Sequence, residues 1–383
     1  MVIFSPLAID IFLPALPIMA AELSVSLTQM QASITVFILS LGFGQILSGP
    51  LADRYGRKPV AVGGIIFYGI TSMLAALSTS LEWLLLARLG QGLGACAIVV
   101  AAFACVRDRY DALQSGVMYS YLNGAICCIP ALAPLLGNVL TEYFGWRSNF
   151  EFMVLYACCA GTVVALTLKE TRPPETVQHQ RLITLSRYMP ILKHPVFLFN
   201  SLVVMLAMAI IIAYVSSSPA WLMVNLGLDR QGFVFWFSIN AALNIAACLL
   251  APKVLIKWGP RVTIGVGMLA LIAAGLLMLV LLQWRDPMGF MLPVMLSSVG
   301  FSLLMGSCAG QALAPFAQSA GTASALLGFM QMTGAAVIVS LMQLLPLNEA
   351  EQLTLLMLLV VPVYAVWRLP GVKKRITFMP VET

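Results

Sequence analysis

Long apolar runs recur along the whole chain, and their length limits what it can fold into. Each run extends for about 20 residues, the length that an α-helix needs to cross the hydrocarbon core of a membrane. The chain has 383 residues, of which 61% are hydrophobic and 9% are charged. A soluble globular domain is usually about 45–50% apolar and about 25% charged. A membrane β-barrel would instead show segments of about 10 residues that alternate apolar and polar positions. The sequence therefore predicts an all-α membrane protein.

Proline, glycine and charged residues divide the apolar runs into twelve predicted transmembrane helices. The longest polar stretch, KETRPPETVQHQRLITLSRYMPILKHP, lies between the sixth and the seventh. We therefore predict a six-helix bundle at 1–170, a cytoplasmic linker at 171–195 and a second six-helix bundle at 196–383. The predicted spans are 3–20, 28–48, 60–78, 83–104, 115–139, 148–168, 196–215, 232–251, 262–283, 289–310, 322–345 and 353–369.

The net charge of +6 reflects where lysine and arginine are placed. Nearly all of them fall in segments predicted to share one face: 54–58, 107–109, 169–193, 253–261 and 368–375. The opposite face receives only Arg147, Arg230 and Arg285. Because cytoplasmic loops carry the excess of lysine and arginine, we expect both termini to be cytoplasmic. No basic segment or small-residue cleavage site precedes the first helix, so a cleavable signal peptide is not expected.

Two charged residues lie well inside the predicted membrane helices, away from the helix ends. Asp10 stands in the first apolar run, SPLAIDIFLPALP, and Arg88 lies about five residues into the fourth. A charged side chain at the centre of a bilayer costs at least about 2.5–3.5 kcal/mol, so such residues usually have a function. A buried carboxyl group near Arg88 can bind a proton on one side and release it on the other. Alternatively, Asp10 belongs to a permanent ion pair, and Arg88 packs the first and fourth helices together.

The remaining reactive side chains give little support for a metal, a nucleotide or a disulfide. His179 and His194 have no second ligand at metal-binding spacing, and no phosphate-binding P-loop occurs. The 8 cysteines fall in or beside apolar helices, where a free cysteine is a small packing residue. We therefore expect no metal and no cofactor apart from protons as a coupling ion.

A short segment recurs six helices apart. GPLADRYGRKP at 49–59 follows the second helix, and APKVLIKWGPR at 251–261 follows the eighth. Repeated halves related by an axis along the membrane normal are typical of transporters that bind their substrate between the halves, near the midplane.

The hairpin at 49–59 resembles the signature cytoplasmic loop of the major facilitator superfamily. In that family the loop locks the two halves together, which implies a gating role for Gly49, Asp53, Arg54, Gly56 and Arg57. Physically, Gly56 permits a tight turn, and Asp53 can lie against a helix N terminus, where anions are favoured. The resemblance implies the twelve-helix major facilitator fold, with two pseudo-symmetric bundles.

Further motifs point to the same family. RLGQGLG at 88–94 resembles its fourth-helix motif, which places an arginine inside the membrane. IPALAPLLG at 129–137 is similar to its fifth-helix antiporter motif, which implies that Pro130, Pro134 and Gly137 take part in gating. Ala133 and Asn138 stand where glycines are usual, so any kink depends on the two prolines.

SPLAIDIFLPALP and the segment YVSSSPAWLM at 214–223 resemble the Bcr/CflA group. That group contains proton-coupled exporters of phenicol-type antibiotics and bicyclomycin, with an acidic residue in the first helix and an arginine in the fourth. The resemblance implies a monomeric drug:proton antiporter of a bacterial inner membrane, and not an enzyme. An exporter of an amino acid, a sugar or a siderophore is the alternative within the fold. A receptor or scaffold is a third possibility, although no large soluble appendage is present to favour it.

Several polar or aromatic residues could line a cavity for a neutral amphipathic drug. Ligand sites are mostly apolar with few polar anchors, but each of these residues could also bond or pack between helices. Asn240 and Asn244 are spaced by one helical turn and share one face. The candidates are Phe12, Phe37, Gln45, Tyr119, Asn123, Tyr214, Ser217, Ser218, Asn240 and Asn244.

Overall fold

The described part of the chain consists of helices and their connections. The computed structural model describes residues 1–174, 176, 185–284 and 286–369, and no β-strand occurs among them. The predicted all-α class is therefore confirmed. The helices are α1 (Phe4–Asp10), α2 (Leu16–Glu22), α3 (Leu27–Tyr55), α4 (Arg57–Ala76), α5 (Leu81–Arg109), α6 (Ala112–Phe144), α7 (Arg147–Thr167), α8 (Leu185–Leu192), α9 (Pro195–Pro219), α10 (Arg230–Leu281), α11 (Pro287–Leu313), α12 (Ala320–Phe329), α13 (Ala335–Gln343), α14 (Glu349–Leu358) and α15 (Val360–Arg368).

The described residues contain 11 helical segments that are long and apolar enough to cross a membrane. One of them, Gln231–Trp284, includes Gly259, where φ is 72° and the helix changes direction. If this segment is counted as two helices, one on each side of the kink, the segments correspond to the twelve predicted spans. The chain is a multi-pass membrane protein.

Three predicted spans are interrupted in the structure. The first is split into α1 and α2 by a 3₁₀ turn at Leu13–Ala15. The eleventh contains a π-helical turn, Met330–Gly334, between α12 and α13, and the twelfth is split between α14 and α15. The predicted linker holds the short helix α8, which the sequence did not indicate. The basic positions at 177–184, at 285 and at 370–375, together with His179, lie outside the described residues.

The two repeated hairpins turn in the same way. Gly56 has φ 105° and Gly259 has φ 72°, backbone conformations that residues other than glycine rarely adopt. In both hairpins a new helical segment begins directly after the glycine. Each of the two repeated segments therefore turns at a glycine with a positive φ.

The residues group into two compact units, each with its own apolar core. Unit 1 comprises Met1–Arg109, Cys128–Tyr188 and Phe316–Phe329. Unit 2 comprises Tyr110–Cys127, Met189–Pro315 and Met330–Thr383, the last stretch being described only to residue 369. The division into bundles at 1–170 and 196–383 stays a prediction.

Each unit includes one segment from the other predicted bundle, and small residues allow it to pack closely. In unit 1, α12 packs on α3, and a Cβ at Gly49 would lie 2.7 Å from the Gly321 carbonyl oxygen. In unit 2, the start of α6 crosses α11, and a Cβ at Gly310 would lie 2.7 Å from the Gly116 Cα atom. Close backbone approach at small residues is typical of helix packing in membranes.

Candidate functional site

The first transmembrane segment breaks directly after Asp10. Helix α1 ends at this residue, and the next regular α-helix begins at Leu16. Pro14 has no N–H group, so it cannot donate to the Asp10 carbonyl oxygen as a helix requires. The Asp10 side chain is half-buried, and no residue in the described chain forms an ion pair or hydrogen bond with it. The sequence therefore places an unpaired carboxylate at a helix break.

Arg88 is fully buried in unit 1 and is held by neutral groups. Its Nε donates to the Ser33 carbonyl oxygen at 3.3 Å and its Nη2 to the Ala8 carbonyl oxygen at 2.9 Å. Nη1 donates to the side chain of Gln91. Gln91 is itself fixed by Ser72, whose hydroxyl accepts from Nε2 at 2.7 Å. The polar partners of the guanidinium group within the described part of the chain are thus all uncharged.

Two aromatic rings complete the surroundings of Arg88. Its guanidinium carbon lies 4.6 Å from the ring centroid of Phe12 and 4.4 Å from that of Phe37. Both distances are within the range of cation–π attraction, about 6 Å. Both rings are fully buried, so they contact the arginine in this structure. The predicted pair of Asp10 and Arg88 forms no direct ion pair among the described residues, but Arg88 bonds the α1 backbone two residues before Asp10.

Asp53 lies at the N terminus of α12. Its carboxylate accepts hydrogen bonds from the backbone N–H groups of Gly321 and Thr322, both at 2.9 Å, and from the Thr322 hydroxyl. The first N–H groups of a helix have no internal partner and carry the positive end of the helix dipole. A carboxylate from α3 therefore caps a helix that lies far away in the sequence.

Three further charged residues surround this cap. Arg57 donates to Asp53 at 3.0 Å and to both oxygens of Asp108, at 2.8 and 3.3 Å. Arg187 from α8 donates to the Thr322 hydroxyl at 2.9 Å and to Asp53 at 3.4 Å. We call Asp53, Arg57, Asp108, Arg187 and Thr322 the Asp53 network.

Glu170 caps the start of α4, next to the Asp53 network. Its carboxylate accepts from the N–H groups of Arg57 at 2.9 Å and Lys58 at 3.1 Å. It also accepts from those of Thr171 at 2.9 Å and Arg172 at 2.8 Å. Partial burial alone would raise the pKa of Glu170, but these four hydrogen bonds bring it below the usual value.

Helix α6 carries the predicted gating residues Pro130, Pro134 and Gly137. Both prolines lie inside the helix, which is continuous from Ala112 to Phe144. Gly137 faces the broken first segment, where a Cβ would overlap the Ile11 carbonyl oxygen. The break after Asp10 and the segment of α6 that contains Gly137 therefore contact each other. Arg54, also predicted to act in gating, is exposed and lies over the ring of Tyr55.

Polar side chains form a connected set inside unit 2. The Ser298 hydroxyl donates to Asn240 Oδ1 at 3.0 Å, and the Ser302 hydroxyl lies 2.9 Å from Asn244 Oδ1. Cys248 Sγ lies 3.2 Å from Ser302 Oγ and accepts from Asn123 Nδ2 at 3.4 Å. We call this set the polar ladder: Asn123, Asn240, Asn244, Cys248, Ser298 and Ser302.

The other predicted cavity residues are mostly buried. Tyr214 stacks on Phe237 with 5.7 Å between ring centroids, and its hydroxyl lies beside the Asn240 side chain. The Ser217 hydroxyl and Gln45 Oε1 are buried and have no hydrogen-bond partner in the described chain. Tyr119 is 1% exposed, and Ser218 donates to the Val215 carbonyl oxygen at 3.5 Å.

Sequence reasoning missed Asp108, Arg187, Ser298 and Ser302. The two serines are spaced by one helical turn, like Asn240 and Asn244, so the matching spacing was an available signal. Asp108 stands among the basic residues at the end of α5. In the described residues, no group of three or more histidine, cysteine, aspartate or glutamate side chains could hold a metal ion.

Comparisons with known proteins agree with this architecture. The family model described as Major Facilitator Superfamily matches residues 1–339. The multidrug resistance protein MdtL of Citrobacter koseri is 31% identical over 353 residues, which cover 92% of this chain and 89% of that protein. MdtL of Klebsiella pneumoniae is 32% identical over 357 residues, with coverage of 92% and 89%.

Two solved structures share the fold at low sequence identity. The human organic anion transporter MFSD10 (TETRAN) superimposes with a TM-score of 0.71 and 16% identity, over 95% of this chain and 97% of that one. The proton:xylose symporter XylE, bound to 6-bromo-6-deoxy-D-glucose, gives 0.70 and 12%, over 96% and 92%. The family model and the MdtL relatives, with the twelve spans, show that this chain is a non-enzymatic transport protein of the Major Facilitator Superfamily.

Proposed function

We propose that this transporter is a drug:proton antiporter that exports small, lipophilic, mostly neutral antibiotics such as phenicols by alternating access. It would act as a monomer in a bacterial inner membrane, with both termini cytoplasmic, with protons as the coupling ion and with no cofactor. The relatives named as multidrug resistance proteins support export of drugs. The motifs in the first and seventh spans support placement in the Bcr/CflA group.

The observation that carries the proposal is the unpaired Asp10 carboxylate at the break in the first span. The guanidinium group of Arg88 donates to the Ala8 and Ser33 carbonyl oxygens and to the Gln91 side chain. Arg88 therefore does not neutralise Asp10 in this state. Asp10 is therefore available to bind a proton. If α1 shifts and frees the Ala8 carbonyl oxygen, Arg88 can approach Asp10 and favour loss of that proton. Proton affinity would then depend on the conformation, as antiport requires.

The Asp53 network supports alternating access through the joint between α3 and α12. Asp53, Arg57, Arg187 and Thr322 are at most 5% exposed, and Arg57 bonds two carboxylates at once. Separating α12 from α3 would break the bonds from Gly321 and Thr322 to Asp53. A buried polar cluster of this kind is either formed or broken. It therefore favours distinct conformations, separated by an energy barrier, over a continuous series of them. We propose that Gly49, Asp53, Arg54, Gly56 and Arg57 gate transport at this joint.

Asp10→Asn tests the coupling role, because asparagine keeps the shape but cannot titrate. We expect it to abolish drug accumulation driven by a pH gradient in inverted membrane vesicles, while insertion and purification stay normal. Asp286→Asn is a matched control. Asp286 caps α11 by accepting from the Met288 N–H at 2.7 Å, and asparagine caps helices equally well. Accumulation at the wild-type level in Asp10→Asn would show that coupling lies elsewhere.

A further inference from the structure

Unit 2 contains a cavity where the ends of three helices meet. Residues in the last two turns of α9, the second half of α13 and the first two turns of α14 line it. Its volume is about 250 Å³. Since a cavity of about 150 Å³ accommodates benzene, this one has room for an aromatic ring with a short side chain.

The Ser217 hydroxyl lies at this cavity without a partner from the chain. Helix α9 carries three successive serines here, and two of them bond their own backbone. Ser216 donates to the Ala213 carbonyl oxygen at 3.1 Å, and Ser218 donates to that of Val215 at 3.5 Å. Ser217 lines the cavity, and its buried oxygen bonds no described residue. Because a helical serine usually bonds a backbone carbonyl group, this exception indicates a partner from outside the chain.

Two further hydrogen-bond acceptors of the cavity lie on one face of α14. Glu349 accepts from Asn225 Nδ2 at 3.1 Å through Oε2, and no described residue donates to its Oε1. Gln352 donates through Nε2 to the Leu347 carbonyl oxygen at 2.9 Å, so its amide oxygen is the end that remains. Together with Ser217, these two residues give the cavity three acceptor groups.

The charge of the lining determines what the cavity can bind. Glu349 is the only charged residue in the lining, and it forms no ion pair with a described residue. A half-buried carboxylate without a counter-ion favours a cation. A primary ammonium group carries three N–H donors, one for each acceptor. The other lining residues are mostly apolar, which suits a ligand with an apolar body.

We propose that this cavity binds a small organic cation, whose primary ammonium group is held by Glu349, Ser217 and Gln352. The inference goes beyond the proposed function, because the proposed drugs are mostly neutral and this site carries a charge. Ser217, a sequence-based candidate for the drug cavity, is thereby assigned to a second site. The lysine and arginine distribution predicts that these helix ends are periplasmic, so the ligand would enter from that side.

Equilibrium dialysis of purified full-length protein in detergent tests the site with two probes of the same size. Phenethylamine carries an ammonium group at neutral pH, whereas 2-phenylethanol has a neutral hydroxyl in its place. The wild type should bind phenethylamine about tenfold more tightly. Glu349→Gln should abolish this preference, because glutamine can still accept from Asn225 but has no charge. Ser217→Ala should weaken phenethylamine binding several-fold.

Glu351→Gln is the matched control, since it removes the same charge from the same turn of α14 without altering the lining. Glu351 accepts from the Asn348 N–H at 2.9 Å, and glutamine fills this capping role equally well. The control should bind both probes like the wild type.

Equal affinity of the wild type for the two probes, or no saturable binding of phenethylamine, would overturn the inference. So would a preference that survives in Glu349→Gln or is lost equally in Glu351→Gln, because the carboxylate contact would then not be its source. If Glu349→Gln does not fold, Ser217→Ala decides, and an unchanged affinity for phenethylamine would count against the site. None of these measurements involves proton-driven transport, so the proposed antiport stands or falls separately.

Discussion

Arg88 is fully buried, and no carboxylate among the described residues contacts it. Two backbone carbonyl groups, one amide side chain and two aromatic faces stabilise it instead. Such a set tolerates a charge because each carbonyl dipole and each ring face presents its negative side to the guanidinium group. None of these groups titrates, so they hold Arg88 at every physiological pH. A proton can then change the charge of Asp10 without dismantling the site of Arg88.

Arg88→Met separates coupling from packing, because methionine keeps much of the stem volume and loses the charge. If Arg88 tunes Asp10, the variant should lose export, and its drug binding should depend on pH with a midpoint moved to higher pH. The reason is that removing a nearby cation favours the neutral form of a carboxyl group. Arg88→Lys keeps the charge but not the planar fork, so it should be intermediate. A lowered Tm with an unmoved pH profile would leave Arg88 as a packing residue only.

Gly137→Ala tests the contact between α6 and the broken first segment. The added methyl group would overlap the Ile11 carbonyl oxygen, and backbone atoms cannot give way as a flexible side chain does. We expect a loss of several degrees in Tm in detergent. Gly63→Ala is the matched control, since a Cβ there meets nothing within 4 Å and alanine favours the helix. Equal Tm values for the two variants would contradict the close approach at Gly137.

At the scale of elements, the sequence predicted the helices well and their interruptions poorly. Run length indicated where spans begin and end, because a membrane demands about 20 apolar residues. The break after Asp10 was not predicted, although Pro14 and Pro17 were visible, since neighbouring helices often support a proline inside a span. The partners of Asp53 on α12 lie 268 and 269 residues away in the chain, so no local pattern could name them.

Glu170 tests what stabilises the N terminus of α4, because its carboxylate caps the first turn of that helix. Its lowered pKa means that the stabilisation is present above the usual glutamate value and is lost as pH falls through the folded pKa. We expect Glu170→Gln to lower Tm at neutral pH. When the pH is lowered from about 5 to about 3, across the ordinary glutamate pKa of about 4.3, the Tm of the variant should also fall less than the Tm of the wild type.

Glu142→Gln is the control for this measurement, since no described residue bonds the Glu142 side chain. It should follow the wild type at both pH values. If Glu170→Gln had the same acid sensitivity as the wild type, the hydrogen bonds to the α4 N terminus would not be a source of acid-dependent stability.

At the scale of the whole molecule, the proposed export cycle requires the two predicted bundles to move against each other. Helix α6 belongs to the bundle predicted at 1–170, and α10 belongs to the bundle predicted at 196–383. In unit 2 these helices meet at the polar ladder, where Cys127 Sγ lies 3.7 Å from Cys248 Sγ. All eight cysteines of the chain are free, so this pair can be used as a reporter of motion. A covalent bond there would prevent the two helices from separating.

Cross-linking Cys127 to Cys248 should therefore stop transport. A variant that keeps only these two cysteines is treated with copper phenanthroline, an oxidant that converts two thiols into a disulfide. The sulfur atoms must approach to about 2.05 Å, a small adjustment from their present separation. We expect drug export in vesicles to fall to background after oxidation and to return after reduction with dithiothreitol. The Cys127→Ser version, treated identically, should keep exporting. Full export by protein shown by mass spectrometry to be cross-linked would mean that α6 and α10 stay together throughout the cycle, and that alternating access does not run through this contact.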